Sequence, residues 1–182
     1  MKVLAFAASN SKQSINKQLV AYTTGLINEA EVEILDLNDY EMPLFSVDRE
    51  ADLGQPAEAQ AFFRKIGEAD ALVISYAEHN GSYSAAWKNL FDWTSRIDQK
   101  VFQNKPMILL ATSPGPGGAR NVLTQAANSA PYFAGDVVAD ISVARFYDVY
   151  DADSGQITSE DTAEEISNAV AALTDKVVAI PA

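Results

Sequence analysis

A chain of 182 residues with 48% hydrophobic content can bury one full core, and no repeat, low-complexity tract or Pro/Gly-rich linker divides it. Zero cysteines exclude disulfides, thiol nucleophiles and thiolate metal sites, and a single histidine leaves no transition-metal cluster, so redox chemistry would need a bound organic cofactor. A formal charge of -12, spread along the chain, argues against nucleic acid and anionic membrane as partners.

The apolar run Val3 to Ala8 reads as a buried strand that stops at the polar loop Ser9-Asn10-Ser11-Lys12-Gln13-Ser14. Its six residues imitate the core of a secretion signal but are too few for one, and the expected location is the cytoplasm. Ser14 suits a helix N-cap, with Ile15, Leu19, Thr23, Leu26 and Ile27 recurring at helical period behind it. A helix N-terminus ringed by hydroxyls and amides holds a phosphate. The loop lacks both the glycines of a dinucleotide fingerprint and the Gly-Lys-Ser/Thr of a triphosphate loop, so a single terminal phosphate is the expected guest.

Val32, Ile34, Leu35 and Leu37 predict a second strand, and Asn38 to Pro56 a long loop without period, the length of a functional wall or lid. Ala57 to Glu68 reads as a helix, Ala71 to Ile74 as a buried strand and Ser75 to Gly81 as a second polar loop. Trp87, Leu90, Phe91 and Thr94 give helical period to Ser84 to Arg96. At that spacing both Trp87 and Trp93 read as packing residues rather than cofactor stackers. Trp87, Phe91 and Trp93 also supply more aromatic surface than one buried face hides, which predicts a homo-oligomer. Pro106 to Ala111 is a strong buried strand ending in the third loop, Ser113 to Gly118. A helix over Ala119 to Ala130, a strand over Val137 to Val143 and a helix over Thr162 to Val177, entered through Thr158, Ser159 and Asp161, complete the chain.

Continuously apolar strands separated by helices predict one doubly wound α/β domain with a five-stranded parallel sheet of order 2-1-3-4-5. The switch point then lies between the first and third strands. Ser9 to Asn16 and Tyr76 to Ser82 flank one crevice there, with Ser113 to Gly118 beside it.

Four separated motifs resemble the flavodoxin-like NAD(P)H-dependent FMN reductases, which include quinone, azo-dye and chromate reductases. Ala8-Ser9-Asn10-Ser11-Lys12-Gln13-Ser14-Ile15-Asn16 is similar to the family's Gly-Ser-x-Arg-x-x-Ser-x-Asn phosphate loop, and Met42-Pro43-Leu44-Phe45-Ser46-Val47-Asp48 to its Leu-Pro-Leu-Tyr/Phe-x-x-Asp segment. Ala77-Glu78-His79-Asn80-Gly81-Ser82 followed by Trp87-Lys88-Asn89-Leu90-Phe91-Asp92-Trp93-Thr94-Ser95-Arg96 resembles its Pro-Glu-Tyr-Asn-x-Ser and Leu-Lys-Asn-x-x-Asp-Trp-x-Ser-Arg. Ser113-Pro114-Gly115-Pro116-Gly117-Gly118-Ala119-Arg120 resembles its Ser-x-Gly-x-x-Gly-Gly-x-Arg, one residue shorter. Ala8 and Ser11 replace the family's usual Gly and Arg, with Lys12 one position on, and Ala77 and His79 stand for Pro and Tyr.

The resemblance implies an enzyme that binds FMN, takes a hydride from NADPH or NADH, and passes electrons to a small-molecule acceptor: a quinone, azo compound, free flavin or metal ion. It implies a homodimer or homotetramer. Ser9, Ser11, Ser14, Ile15 and Asn16 would hold the phosphate, Ala77, Glu78, His79 and Asn80 would pack along the flavin, and Ser113, Gly115 and Gly117 would lie at its edge, with no side chain in a catalytic role. Arg120 falls in the first turn of a helix, where the macrodipole disfavours a cation. A compensating anion is expected there, either a nicotinamide nucleotide phosphate or a carboxylate across a subunit boundary. The rival readings are an FMN-binding electron carrier and a cofactor-free receiver module. The second would need acidic residues where Ala7, Ala8 and Ser9 stand.

Overall fold

The computed structural model describes residues 1–179. Strand β1 (Lys2–Ala8) leads through the first loop into α1 (Ile15–Gly25), and β2 (Glu31–Leu35) is followed by a 3-10 turn (Leu37–Tyr40), α2 (Val47–Leu53) and α3 (Ala57–Glu68). Next come β3 (Ala71–Tyr76), the short strands β4 (Glu78–His79) and β5 (Ser82–Tyr83), and α4 (Ala85–Thr94). Then follow β6 (Pro106–Thr112), α5 (Arg120–Ser129), a second 3-10 turn (Ala130–Phe133) and β7 (Asp136–Val143). The chain ends in α6 (Phe146–Val149), the strand pair β8 (Tyr150–Asp151) and β9 (Gln156–Ile157), and α7 (Glu160–Val178).

The central sheet runs β2-β1-β3-β6-β7, every neighbouring pair parallel, which is the expected 2-1-3-4-5 order with the β4–β5 hairpin set aside. The inner strands are apolar throughout because each face is covered. Leu4, Phe6, Leu72 and Ile74 point toward α3, α4 and α5, whereas Val3, Ala5, Val73 and Ile108 point toward α1 and α7.

Three boundaries differ from the sequence reading, the first being that β3 runs on through Ser75 and Tyr76, which pair with β1 and β6 instead of opening the second loop. Leu37 leaves the second strand because the Asp36 carboxylate accepts from the Asn38 N–H at 3.0 Å and starts the 3-10 turn. The supposed loop from Asn38 to Pro56 contains α2, capped by Ser46, whose hydroxyl accepts from the Arg49 N–H. No residue of α2 is buried, so it has no apolar stripe for a periodicity argument to find.

The aromatic surplus on α4 is consumed inside the chain. Trp87 and Trp93 are buried, Phe91 packs against Phe102 and Phe133, and Phe45 meets Trp93 edge-on at 5.1 Å. The sequence argument for a partner from these three rings therefore loses its premise.

Candidate functional site

The first loop owes its shape to sheet-edge contacts. Ser9 is buried and its hydroxyl accepts from the Ser11 N–H at 3.2 Å, folding the loop back on itself. Ser14 occupies the N-cap of α1, yet its side chain makes no capping bond, and α1 carries no acidic residue in its first turn. The Ile15 and Asn16 N–H groups have no partner among the described residues. Unspent donors and an uncompensated dipole end meet at one point, which suits an anion. Ser11 and Lys12 are exposed beside them, whereas Lys17 pairs with Asp36 at 2.9 Å. That ion pair, with the Asn38 N–H, holds the Asp36 carboxyl at about 2.

Asn16 faces inward. Its side-chain oxygen accepts from the Ser75 hydroxyl at 2.8 Å and the Thr112 N–H at 3.2 Å, and the residue is 3% exposed. It stitches the start of α1 to the ends of β3 and β6, the strands that carry the other two loops. Ser84 adds a second stitch by donating to the Ala8 carbonyl at 2.8 Å while capping α4.

In the second loop Ala77 is buried, and Glu78 and His79 pair with Tyr83 and Ser82 across the hairpin. Asn80 and Gly81 form its turn, both at positive φ (53° and 78°), the dihedral signature of an Asn-Gly hairpin. His79 and Asn80 are exposed at its tip. Glu78 turns away from the tip: its carboxylate accepts from the Val122 N–H at 3.0 Å and caps α5. This carboxylate places an anion from within the chain at the helix end where Arg120 sits. Arg120 itself is exposed and forms no ion pair among the described residues. Further along the same face, Ser82 donates to Gln125 at 3.1 Å and Tyr83 shares a 3.3 Å contact with Ser129. The hairpin is thus bolted along α5, the helix that leaves the third loop, and the two loops form one rigid wall.

In the third loop the Gly115 carbonyl receives the Ser113 hydroxyl at 3.3 Å and the Arg145 N–H at 2.9 Å, and the Ser113 carbonyl receives the Phe146 N–H. Gly118 must be glycine: its φ is 58°, and a Cβ would press on Ser142 Oγ and stand 3.0 Å from the Ala144 nitrogen. Gly115 and Gly117 are different. Neither has a positive φ, and a Cβ on either would meet nothing within 4 Å. Nothing inside the chain demands glycine at either position.

Sequence reasoning missed the clamp beside this crevice. Asn89 accepts from the Phe45 N–H at 2.8 Å and donates to the Met42 carbonyl at 3.2 Å, while the Trp93 indole donates to the Pro43 carbonyl at 2.7 Å. Arg96 meets Glu50 at 3.0 Å. Positions 89 and 93 share one face of α4 and Arg96 follows just past its end, so two of the four recognised motifs pack on each other, and the helical spacing of Asn89 and Trp93 is the available signal. The clamp shapes a cavity of about 530 Å³ between Asn10, Leu37, Tyr40, Met42, Ala86 and Asn89. None of the residues expected to bind cofactor lines it; Asn10 of the first loop is the contact between the two.

Comparisons with known proteins agree with this geometry. A family model described as NADPH-dependent FMN reductase matches residues 1–148. The chain is 33% identical over 125 residues to an NADPH:quinone oxidoreductase of Arabidopsis thaliana, covering 66% of this chain and 62% of that protein. It is 34% identical over 122 residues to a quinone reductase of Escherichia coli K12, with 66% and 64% covered. The matched part thus spans less than two thirds of those relatives. The solved flavoenzyme NAD(P)H:(acceptor) oxidoreductase FerB from Paracoccus denitrificans superposes with a TM-score of 0.80 at 26% identity, covering 97% of each chain.

Proposed function

Since the chain belongs to the NADPH-dependent FMN reductase family, we propose that it is an FMN-dependent oxidoreductase that oxidises NADPH or NADH and reduces a quinone, flavin, azo compound or metal ion. The observation that carries this reading is the N-terminus of α1. Unpartnered N–H groups, an uncommitted Ser14 hydroxyl and no competing carboxylate fit the phosphate of FMN. Ser9, Ser11, Ser14 and Ile15 would hold that phosphate, with Asn16 fixing the loop from behind. The backbone of Ala77 to Asn80 and the space over Ser113, Gly115 and Gly117 would receive the flavin ring. Bound there, FMN would supply hydride acceptance from the nicotinamide and electron donation to the acceptor.

What the chain itself contributes is orientation: the Asn16 and Ser84 stitches fix the loops to the sheet edge, and the Glu78 cap holds the hairpin to α5. One domain, working in the cytoplasm, carries the whole site. No helix among the described residues is long and apolar enough to cross a membrane. A homodimer or homotetramer is supported by Leu44, Val47 and Leu53, large apolar side chains that stay 59–72% exposed on the segment crossing α4.

Two experiments test the reading. Ser14→Ala removes one hydroxyl from a dianion, which costs about 1.5–3 kcal/mol, or roughly 10- to 150-fold in FMN Kd. Unchanged affinity would reject the phosphate site. Stopped-flow mixing with NADPH and then a quinone should bleach and then restore the flavin absorbance; a bound flavin that NADPH never bleaches would favour the electron-carrier reading.

A further inference from the structure

Behind the hairpin wall lies a second, half-open cavity of about 180 Å³ between the end of β3, β5, α4 and α5. Its walls are rings: Tyr76, Tyr83, Trp87, Phe91, Phe102 and Phe133. These pack on one another rather than into the space, with Tyr76 and Tyr83 at 5.7 Å between centroids, Trp87 and Phe91 at 5.4 Å, and Phe91 and Phe133 at 4.7 Å. The mouth is polar, flanked by the Lys88–Asp92 ion pair on α4 and Gln125 on α5. No residue of the phosphate loop or of the third loop lines it.

Tyr76 supplies an uncommitted donor. It lines the cavity, is 2% exposed, and its hydroxyl bonds to no other described residue; the oxygen is not fully buried, so water satisfies it until a guest arrives. The neighbouring Tyr83 hydroxyl is already engaged by Ser129. Burial pushes the Tyr76 phenol well above its ordinary range, so it stays a neutral donor. An apolar cavity of roughly 150 Å³ holds one benzene ring, so this space admits one six-membered ring with a small substituent.

We propose that this cavity is a binding site for a single-ring phenol, separate from the flavin crevice, with the ring among the aromatic walls and its oxygen accepting a hydrogen bond from Tyr76. A second aromatic ring would have to project through the mouth into solvent, and a charged ring would lose its hydration against these walls. The proposal does not depend on the redox reading, because it invokes no residue assigned to the cofactor.

The test uses fluorine NMR of 4-fluorophenol and 4-fluorotoluene, matched in size, with the purified protein carrying its FMN. Saturable broadening of 4-fluorophenol is expected. Tyr76→Phe, which keeps the ring and the fold, should weaken 4-fluorophenol at least five-fold and leave 4-fluorotoluene unchanged. Ala126→Leu, which fills the cavity from α5, should abolish both signals; Ala126 lines it and is 3% exposed. Absence of saturable binding, an equal effect of Tyr76→Phe on both probes, or a change in the bound flavin's absorbance at saturating 4-fluorophenol would each overturn the proposal, the last by placing the probe in the flavin crevice.

Discussion

Replacing Asn16 by alanine should cost more stability than any exposed loop substitution, because its side-chain oxygen is shared by two buried donors. The Ser75 hydroxyl at 2.8 Å and the Thr112 N–H at 3.2 Å both point at that atom, and Ser75 and Thr112 are 0% and 2% exposed. Leaving one buried donor unsatisfied costs about 1–3 kcal/mol. Water can follow into the gap left by a truncated side chain, so the two together should amount to about 2–4 kcal/mol rather than the full sum. For a chain of this size each kcal/mol lowers Tm by about 2–4 °C, which gives a drop of roughly 4–16 °C. Urea unfolding followed by far-UV circular dichroism measures it directly, without FMN, so that ligand linkage does not enter. Asn16→Asp keeps an acceptor in place and should recover part of the loss when its carboxyl is protonated near pH 4. A loss below about 1 kcal/mol for Asn16→Ala would refute the claim that this residue ties the start of α1 to β3 and β6. The same result decides how the phosphate loop should be probed: a variant lacking Asn16 loses structure and ligand together, whereas Ser14→Ala isolates the ligand contact.

Asp36→Asn should weaken the link between α1 and β2, but the pair is partly exposed, so the cost at pH 7 should stay under about 1 kcal/mol. Because the folded-state pKa of Asp36 is depressed to about 2 from 3.8, that stabilisation is present above pH 3.8 and disappears as pH falls toward 2; a wild-type advantage that persisted at pH 2 would contradict it. Glu78→Ala removes the cap of α5 and should cost about 0.5–2 kcal/mol in urea unfolding, with Glu78→Gln losing less because an amide oxygen still accepts from Val122. Asn89→Ala should free the Met42 to Phe45 crossing and speed hydrogen exchange at the Phe45 amide at least ten-fold while leaving amides in β3 unchanged; uniform acceleration would mean global destabilisation instead.

The fold was legible because its signal is carried by burial. Val3 to Ala8, Ala71 to Ile74 and Met107 to Ala111 are apolar without alternation, which only a sheet covered on both faces requires, and the order of units then leaves few topologies. Elements without burial escaped. The helix Val47–Leu53 rests on a serine cap and an Arg96 ion pair with nothing apolar beneath it, and no period could reveal it. At the site, the sequence located the loops but not the direction of their side chains. The motifs assign Glu78 and Asn16 to the cofactor by position, yet the Glu78 carboxylate and the Asn16 side-chain oxygen are spent on the protein, since a buried oxygen or a carboxylate beside a free helix end finds the nearest donor; the Asn16 side-chain N–H groups stay uncommitted among the described residues.

That difference changes what the motifs mean physically. A loop that holds a ligand through backbone donors needs its backbone held still, and polar side chains pointing inward can do so without touching the ligand. Asn16 and Ser84 anchor the first loop to β1, β3 and β6; Glu78, Ser82 and Tyr83 anchor the hairpin to α5; and the Gly115 carbonyl joins the third loop to the turn after β7. The groups left uncommitted by this bracing are the N–H donors at the start of α1, the Ser14 hydroxyl and the empty volume over Gly115 and Gly117. Ordering them before a ligand arrives lowers the entropy that binding must overcome. The atoms that brace and the atoms left free to bind are therefore different in this edge of the sheet, and substitutions in the two groups should separate in the same way, one set read out in unfolding and the other in FMN affinity.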